Sequence, residues 1–259
     1  SSAKVLGSTN MSNNNAQVIA LQSTNNLTYM GKWGEHNLTA TGVWEATRNE
    51  TRTMNIEGKN VAQEVLGYWN VKNASNRDAD NGYSKWTMLS GVARVMYNYA
   101  DRYMLTGTFR ADGSSRFTNK KWGYFPSVAG AWTVSNEKFW EPIRNAVEYM
   151  KIRASWGIIG NQNITPYSTL ASLNATSFNY GTNTNYTGYW AGGIATPDLT
   201  WEKVKQLDFG IDLGFLGNRL SVGIDYFSKK TTDALLQQSS TGYLGGVTYW
   251  TNAGEVSNK

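Results

Sequence analysis

The chain has 259 residues, 24 Lys and Arg against 19 Asp and Glu, 13% aromatic residues and no cysteine. A net charge of +5 without a block of five or six basic residues argues against a nucleic-acid binder, and the missing cysteines exclude disulfide scaffolds, thiol catalysis and cysteine-ligated zinc. Only 17% of residues are charged while Trp, Tyr and Gly are abundant, a mix that suits β-strands joined by polar loops and disfavours a helical bundle.

In chain order, residues 1–24 are rich in Asn and Ser and read as a loop or linker. A first strand then ends near Gly31, a turn follows at Lys32–Glu35, and a second strand from His36 puts Leu38, Ala40, Gly42 and Trp44 on one face. Residues 48–83 read as a long polar excursion. Strand 84–98 alternates Leu89, Gly91, Ala93, Val95 and Tyr97 with Ser90, Arg94 and Asn98. After a turn at 98–101, strand 102–112 sets Tyr103, Leu105, Gly107 and Phe109 against Thr106, Thr108, Arg110 and Asp112. Strands 123–134 and 149–158 follow, the latter with Met150, Ile152, Ala154 and Trp156 opposite Lys151, Arg153 and Ser155. Beyond a long loop at 159–199, strand 200–215 opposes Leu207, Phe209, Ile211 and Leu213 to Asp208 and Asp212, and strand 219–230 opposes Val222, Ile224 and Tyr226 to Asp225. A loop at 231–250 precedes a last strand beginning near Thr251.

Connections alternate short and long, as in outer-membrane barrels, and strands of about 11–15 residues exceed the five or six usual in soluble sheets. No run of about 18 apolar residues is present, so no membrane-spanning helix is expected, which says nothing of a barrel. The chain starts at Ser1 with no signal-like leader and is expected to be mature, cleaved or partial. Chemistry is sparse. His36 is the single histidine and falls at a turn, so no Ser-His-Asp set is available and an enzyme is not expected. Asp78 and Asp80 loosely resemble a calcium loop without its closing glutamate, so no metal and no cofactor are expected. Gly113-Ser114-Ser115 reads as a turn beside paired charges rather than an anion nest or a nucleophile.

Several segments resemble the SusC/RagA family of TonB-dependent outer-membrane transporters of Bacteroidetes. They are Arg110-Ala111-Asp112-Gly113-Ser114-Ser115-Arg116-Phe117, Trp122-Gly123-Tyr124-Phe125-Pro126-Ser127 with Ala131-Trp132, Lys151–Gly157 with Gly160-Asn161, Trp201-Glu202 with Asp208–Leu213, and Asn252-Ala253-Gly254 with Asn258-Lys259. The resemblance covers residues 25–259 and implies an all-β antiparallel transmembrane barrel segment of about 8–9 strands out of an expected 22, without plug or Ton box. It implies an outer-membrane importer, chiefly of oligosaccharides and otherwise of peptides. A SusD-like lipoprotein lid, TonB-ExbB-ExbD, outer-membrane lipid and the remaining barrel strands are the implied partners.

On that reading Arg94, Arg110, Asp112, Arg153, Asp208 and Asp212 line the lumen. Tyr97, Tyr103, Trp156 and Phe215 are expected in interfacial girdles. Tyr180, Tyr186, Tyr189 and Trp190 in one long loop, and Tyr243, Tyr249 and Trp250 in the next, either stack on substrate or pack the loops together. Lys85, Lys203, Lys205 and Lys230 fall in the apolar phase near extracellular ends, where they either meet lipopolysaccharide or simply snorkel. The competing readings are a soluble or surface β-sheet glycan-binding protein and a passive porin.

Overall fold

The computed structural model describes residues 10–61, 69, 71–179, 181, 185–217, 219–242 and 246–259. Their strands are β1 (Asn10–Trp33), β2 (His36–Val61), β3 (Ala74–Tyr99), β4 (Tyr103–Ser114), β5 (Trp122–Thr133), β6 (Tyr149–Asn161), β7 (Ser172–Asn179), β8 (Asn185–Gly193), β9 (Glu202–Phe215), β10 (Leu220–Thr232), β11 (Leu235–Ser239), β12 (Thr248–Asn252) and β13 (Val256–Asn258). Among the described residues nine strands form one sheet in the order β1-β2-β3-β4-β5-β6-β9-β10-β13, and β7–β8 and β11–β12 are separate hairpins. The pairs from β3 to β13 are antiparallel, so the expected all-β antiparallel sheet is what forms.

Three expected boundaries move. Residues 10–24, read as a linker, belong to β1, and much of the 48–83 excursion is strand, since β2 runs to Val61 and β3 starts at Ala74. The physical reason is that a ladder is held by backbone hydrogen bonds, while the alternation that reveals a strand in sequence is needed only where one face is apolar. Asp78 and Asp80 therefore lie in the extended backbone of β3, not in a calcium-type loop. The last sheet strand is β13 at Val256, because Thr251 belongs to β12, which pairs with β11.

The chain divides into two compact units, residues 1–22 with 47–86 and residues 23–46 with 87–259. The first holds residues 10–22 of β1, 47–61 of β2 and 74–86 of β3. Its small core is Met11 and Ala74, with Val71 packed on them. Gly58 permits that approach, since a Cβ there would stand 2.9 Å from the Ala74 methyl and 3.2 Å from Val71.

In the second unit, membrane-length strands of 12–14 residues carry one polar and one apolar face. The apolar face is uncovered among the described residues: Leu105, Phe109, Val128, Phe209 and Ile224 are all exposed. A soluble sandwich buries that phase, whereas a barrel turns it to lipid.

Aromatic rings border this face. At the short-turn end His36, Tyr99, Tyr103, Trp132 and Phe139 follow one another at centroid spacings of 4.7, 6.4, 6.2 and 6.4 Å. The His36 ring also hydrogen-bonds the Tyr97 hydroxyl at 2.6 Å, so it is a member of this row and not merely a solvated turn residue. Toward the long-loop end Phe109 stacks on Tyr124 at 6.1 Å, and Trp122 lies beyond.

Trp122 pairs with Gly113, ten residues along β4 from Tyr103. At about 3.4 Å per residue and a tilt of about 45°, that is about 24 Å along the membrane normal, the height of an outer-membrane apolar band. Glu137, in the short-turn segment, accepts from the Tyr103 hydroxyl at 2.6 Å, Trp132 Nε1 at 3.2 Å and Arg102 Nη1 at 3.4 Å. The Tyr103 hydrogen bond, then those of Trp132 and the charge of Arg102, hold its carboxyl below the usual carboxylate range.

Candidate functional site

The charged phase forms an open concavity of about 800 Å³ lined by Arg94, Arg110, Asp112, Ser155, Gln206 and Asp208 among others. Strict alternation puts them there: Arg110 and Asp112 on β4, Ser155 on β6 and Asp208 on β9 occupy one face of the sheet. A neighbouring recess is lined by Arg153 and again Asp208.

The charges are satisfied in three ways. Arg110 turns along its own strand, its Nε donating to Asp112 at 2.7 and 2.9 Å, and reaches Ser90 at 3.4 Å. The i, i+2 spacing on one face is short enough for this single N–H to be shared by both carboxylate oxygens. Arg153 does cross strands. Its Nε and Nη2 donate to Asp212 at 3.0 and 3.2 Å, and Nη2 lies 2.6 Å from Asp225 Oδ1. Asp208 accepts from Ser155 at 3.2 Å and Gln206 at 3.1 Å. Arg94 makes no ion pair among the described residues.

The Arg153 bridge depends on an empty slot. Gly210 is the residue directly opposite both Arg153 and Asp225, and a Cβ there would stand 2.5 Å from Arg153 Cζ and 2.6 Å from Asp225 Oδ1. Gly210→Ala is expected to lift the guanidinium away and to lower the urea midpoint of the intact barrel slightly, exposed ion pairs contributing little. Gly130→Ala, whose Cβ would meet only Met104 O at 3.9 Å, is the control. Equal costs at the two positions would show that the slot plays no part.

Over the long-loop end of this face lies a core that the motifs build together. Phe117, Phe125, Ile164, Leu199 and Trp201 are buried, with Met88, Ile158, Leu235 and Trp250 packed against them. Trp201 meets Phe117 at 5.3 Å and Phe125 edge-on at 5.5 Å, and its Nε1 donates to Lys121 O at 2.9 Å. Gly123 and Gly160 make room for the Phe125 ring, which a Cβ at either would overlap.

Polar clasps close the base. Asn252 donates to Thr200 O at 2.8 Å and Asp233 O at 2.9 Å and accepts from Thr200 N at 2.8 Å, while Glu202 accepts from Asn161 at 3.2 Å and Leu235 N at 3.0 Å. Ser114 accepts from Arg116 N at 3.2 Å, and Ser115 accepts from Thr87 N at 2.8 Å, so these serines shape the turn. Burial lowers the Arg116 pKa from the usual guanidinium range, and its Nη1 donates to Gln162 O at 3.2 Å.

The loop aromatics separate. Tyr180 and Tyr243 lie outside the described residues. Trp250, on β12, is half-buried against the Phe117–Trp201 core, so it packs the loops instead of presenting a free face. Tyr186 and Trp190 share one face of the β7–β8 hairpin, and Tyr189 has the other. Between the first two, Phe178 lies over Gly188, where a Cβ would overlap its ring. The result is a row Tyr186–Phe178–Trp190 with all three rings about half exposed. Phe178 was not foreseen; the signal for it is the hairpin register that pairs it with Tyr186.

Of the four lysines, Lys203 pairs with Asp233 at 3.7 Å, Lys230 with Glu255 at 2.8 Å and Lys85 with Glu50 at 4.0 Å. Lys205 stands directly opposite Lys230.

Residues 3–259 match the family model for the TonB dependent receptor-like β-barrel. The chain is 34% identical to TonB-dependent receptor P3 of Formosa agariphila over 92% of its own length and 24% of that protein. It is 37% identical to TonB-dependent receptor SusC of Bacteroides thetaiotaomicron over 58% of its length and 15% of that protein. It thus spans about a quarter of the length of the first of these curated relatives. Among solved structures it superposes on the RagAB peptide transporter with a TM-score of 0.85 and 23% identity, over 95% of this chain and 27% of that one, which is a likeness of fold. The uncovered apolar face, its two aromatic borders, the charged opposite face and these matches lead to one conclusion: the chain belongs to the TonB-dependent receptor family of outer-membrane β-barrels.

Proposed function

We propose that this chain is barrel wall and loop base of an outer-membrane importer that takes up oligosaccharides, works with a SusD-like lipoprotein and is driven through TonB-ExbB-ExbD. The observation that carries the substrate class is the exposed row Tyr186–Phe178–Trp190 on the β7–β8 loop hairpin, whose flanking segments place Ile164 and Leu199 in the core at the long-loop end. Flat rings in a row fit successive sugar rings, each stack contributing about 0.5–1.5 kcal/mol. Arg94, Arg110, Asp112, Arg153, Asp208 and Asp212 then keep the path behind it hydrated. A peptide is the second reading, supported by the fold likeness to a structure described as a peptide transporter.

The test uses the full-length receptor in cells. Tyr186→Ala/Phe178→Ala/Trp190→Ala is expected to lower oligosaccharide uptake about tenfold or more, by loss of three stacks. Unchanged oligosaccharide uptake sinks the aromatic platform, and uptake of peptides alone moves the substrate to the second reading. Transport that survives loss of TonB makes the barrel a passive porin. Failure of an affinity-tagged receptor to retain any surface lipoprotein removes the SusD-like partner.

A further inference from the structure

The apolar phase of β9 and β10 ends in three lysines that have no part in the lumen face or the loop core. Along β9, Lys203 and Lys205 continue the odd-numbered phase of Leu207, Phe209 and Ile211. Along β10, Lys230 continues the even-numbered phase of Ile224 and Tyr226, and the register sets Lys230 directly opposite Lys205. Phe209, Ile211, Ile224 and Tyr226 are exposed, so this is the uncovered face that a barrel turns to lipid.

The strands themselves measure the depth of the lysines. Phe215 and Leu220 pair at the short-turn end, and Lys205 and Lys230 stand ten residues along from them. Ten residues also separate Tyr103 from Gly113, the partner of Trp122, so the lysines lie as far from the short turns as the upper aromatic border does. At about 3.4 Å per residue and a tilt of about 45° this is about 24 Å along the normal, and Lys203 is about 5 Å further out. β9, β10 and both aromatic borders belong to one compact unit. The cations therefore emerge at headgroup depth on the long-loop side, which is extracellular in outer-membrane barrels.

Like charges set directly opposite each other weaken an antiparallel pair. The local carboxylates do not remove the conflict. Asp233 lies 3.7 Å from Lys203 and Glu255 2.8 Å from Lys230, while Lys205 makes no ion pair among the described residues. Three ammonium groups against two carboxylates leave a formal +1, centred on the exposed Lys205. Its partner on the other side, Ile158 of β6, offers no counter-charge. An anion arriving from the lipid side is what relieves the repulsion.

We infer that Lys205 and Lys230, with Lys203 beside them, bind a phosphate of lipopolysaccharide in the outer leaflet. Lysine holds phosphate as a compact point charge with three rotatable donors. Two such groups on facing strands, with Cβ atoms about 5 Å apart, can share one phosphate between them. Snorkelling alone would carry the ammonium groups to water without preference for any anion. The inference rests on the outer-membrane placement and not on the transport reading.

The experiment titrates the full-length receptor, purified in detergent and stripped of lipid, with rough lipopolysaccharide and counts bound molecules by native mass spectrometry. Lys205→Gln/Lys230→Gln is expected to weaken binding about tenfold or more, the loss of one charge-assisted bond or better. Lys229→Gln is the control: it adjoins Lys230 but has the opposite phase, across from Gln206, so binding is expected to stay within about twofold. Without lipopolysaccharide, the urea midpoint of Lys205→Gln is expected at or above that of wild type, because one of two opposed charges is gone. Heat-modifiable migration in gels verifies folding, and Lys205→Gln alone serves should the double variant fail to fold.

Equal binding by wild type and Lys205→Gln/Lys230→Gln overturns the site. An equal loss in Lys229→Gln overturns its placement on the lipid face. A lipid-free Lys205→Gln barrel less stable than wild type overturns the conflict that calls for an anion. Equal binding of dephosphorylated lipopolysaccharide overturns the phosphate, and binding of inorganic phosphate as tight as that of lipopolysaccharide overturns the lipid.

Discussion

Trp201→Ala is expected to destabilise the folded barrel by about 3–5 kcal/mol, as for truncation of a buried aromatic residue. Trp201 is 3% exposed and stands against both Phe117 and Phe125, so its loss opens a cavity bounded by one ring of the β4–β5 loop and one of β5 itself. It also removes one of the two hydrogen bonds to the Lys121 carbonyl, which still accepts from Ser114 N at 3.1 Å. Trp201→Phe separates the two losses. The phenyl ring keeps much of the stacking but cannot donate, so its cost is expected near the about 1 kcal/mol of one lost hydrogen bond.

Urea unfolding of the receptor refolded in detergent measures both. A Trp201→Ala barrel as stable as wild type would mean that the core does not hold the loops to the sheet. A Trp201→Phe cost equal to that of Trp201→Ala would mean that the hydrogen bond, and not the packing, is what matters.

Gly160→Ala should be the second large effect, about 1–3 kcal/mol from a single methyl group. The methyl would enter the Phe125 ring, which is buried and boxed in by Gly123 and Trp201 on its other side. Neither backbone nor ring has room to yield. The decisive measurement is a double-mutant cycle with Phe125→Ala. Alone, Phe125→Ala is expected to cost about 3–5 kcal/mol through the cavity it leaves. In the Gly160→Ala background the methyl partly fills that cavity, so the double variant should be less destabilised than the sum by about 1 kcal/mol or more. Strict additivity would mean that the two residues do not meet.

Both positions sit in motifs that were legible early as marks of a family, and the structure supplies the physical reason. Trp122–Ser127, Gly160-Asn161, Trp201-Glu202 and Asn252 are far apart in the chain, yet they converge on one clasp at the base of the long loops. Phe125 requires Gly123 and Gly160 together, Trp201 requires the Lys121 carbonyl, and Asn252 ties the β11–β12 hairpin to the start of β9. The Arg110–Phe117 segment contributes Phe117 to the same core and two serines to its turn, so its polar residues do structural work while Arg110 and Asp112 face the concavity.

What the residues by themselves determined is whatever follows from a period of two. Between Tyr103 and Thr133, and again between Leu207 and Tyr226, apolar and polar residues alternate because one face meets lipid and the other a hydrated interior. That pattern located the membrane strands, the face that carries the charges and the all-β class. It could not show that β1, β2 and β3 continue to lengths of 24–26 residues, because the distal halves need no apolar phase and their ladder is held by backbone groups that leave no mark on side-chain choice.

Nor could it pair the charges. That Arg110 turns to Asp112 while Arg153 reaches two strands away depends on Gly210 standing opposite Arg153, a matter of register. Only the tertiary structure placed Trp250 in a core and Phe178 in an exposed row, since both are aromatic residues in polar loops and differ in which hairpin carries them, β11–β12 packed on the core or β7–β8.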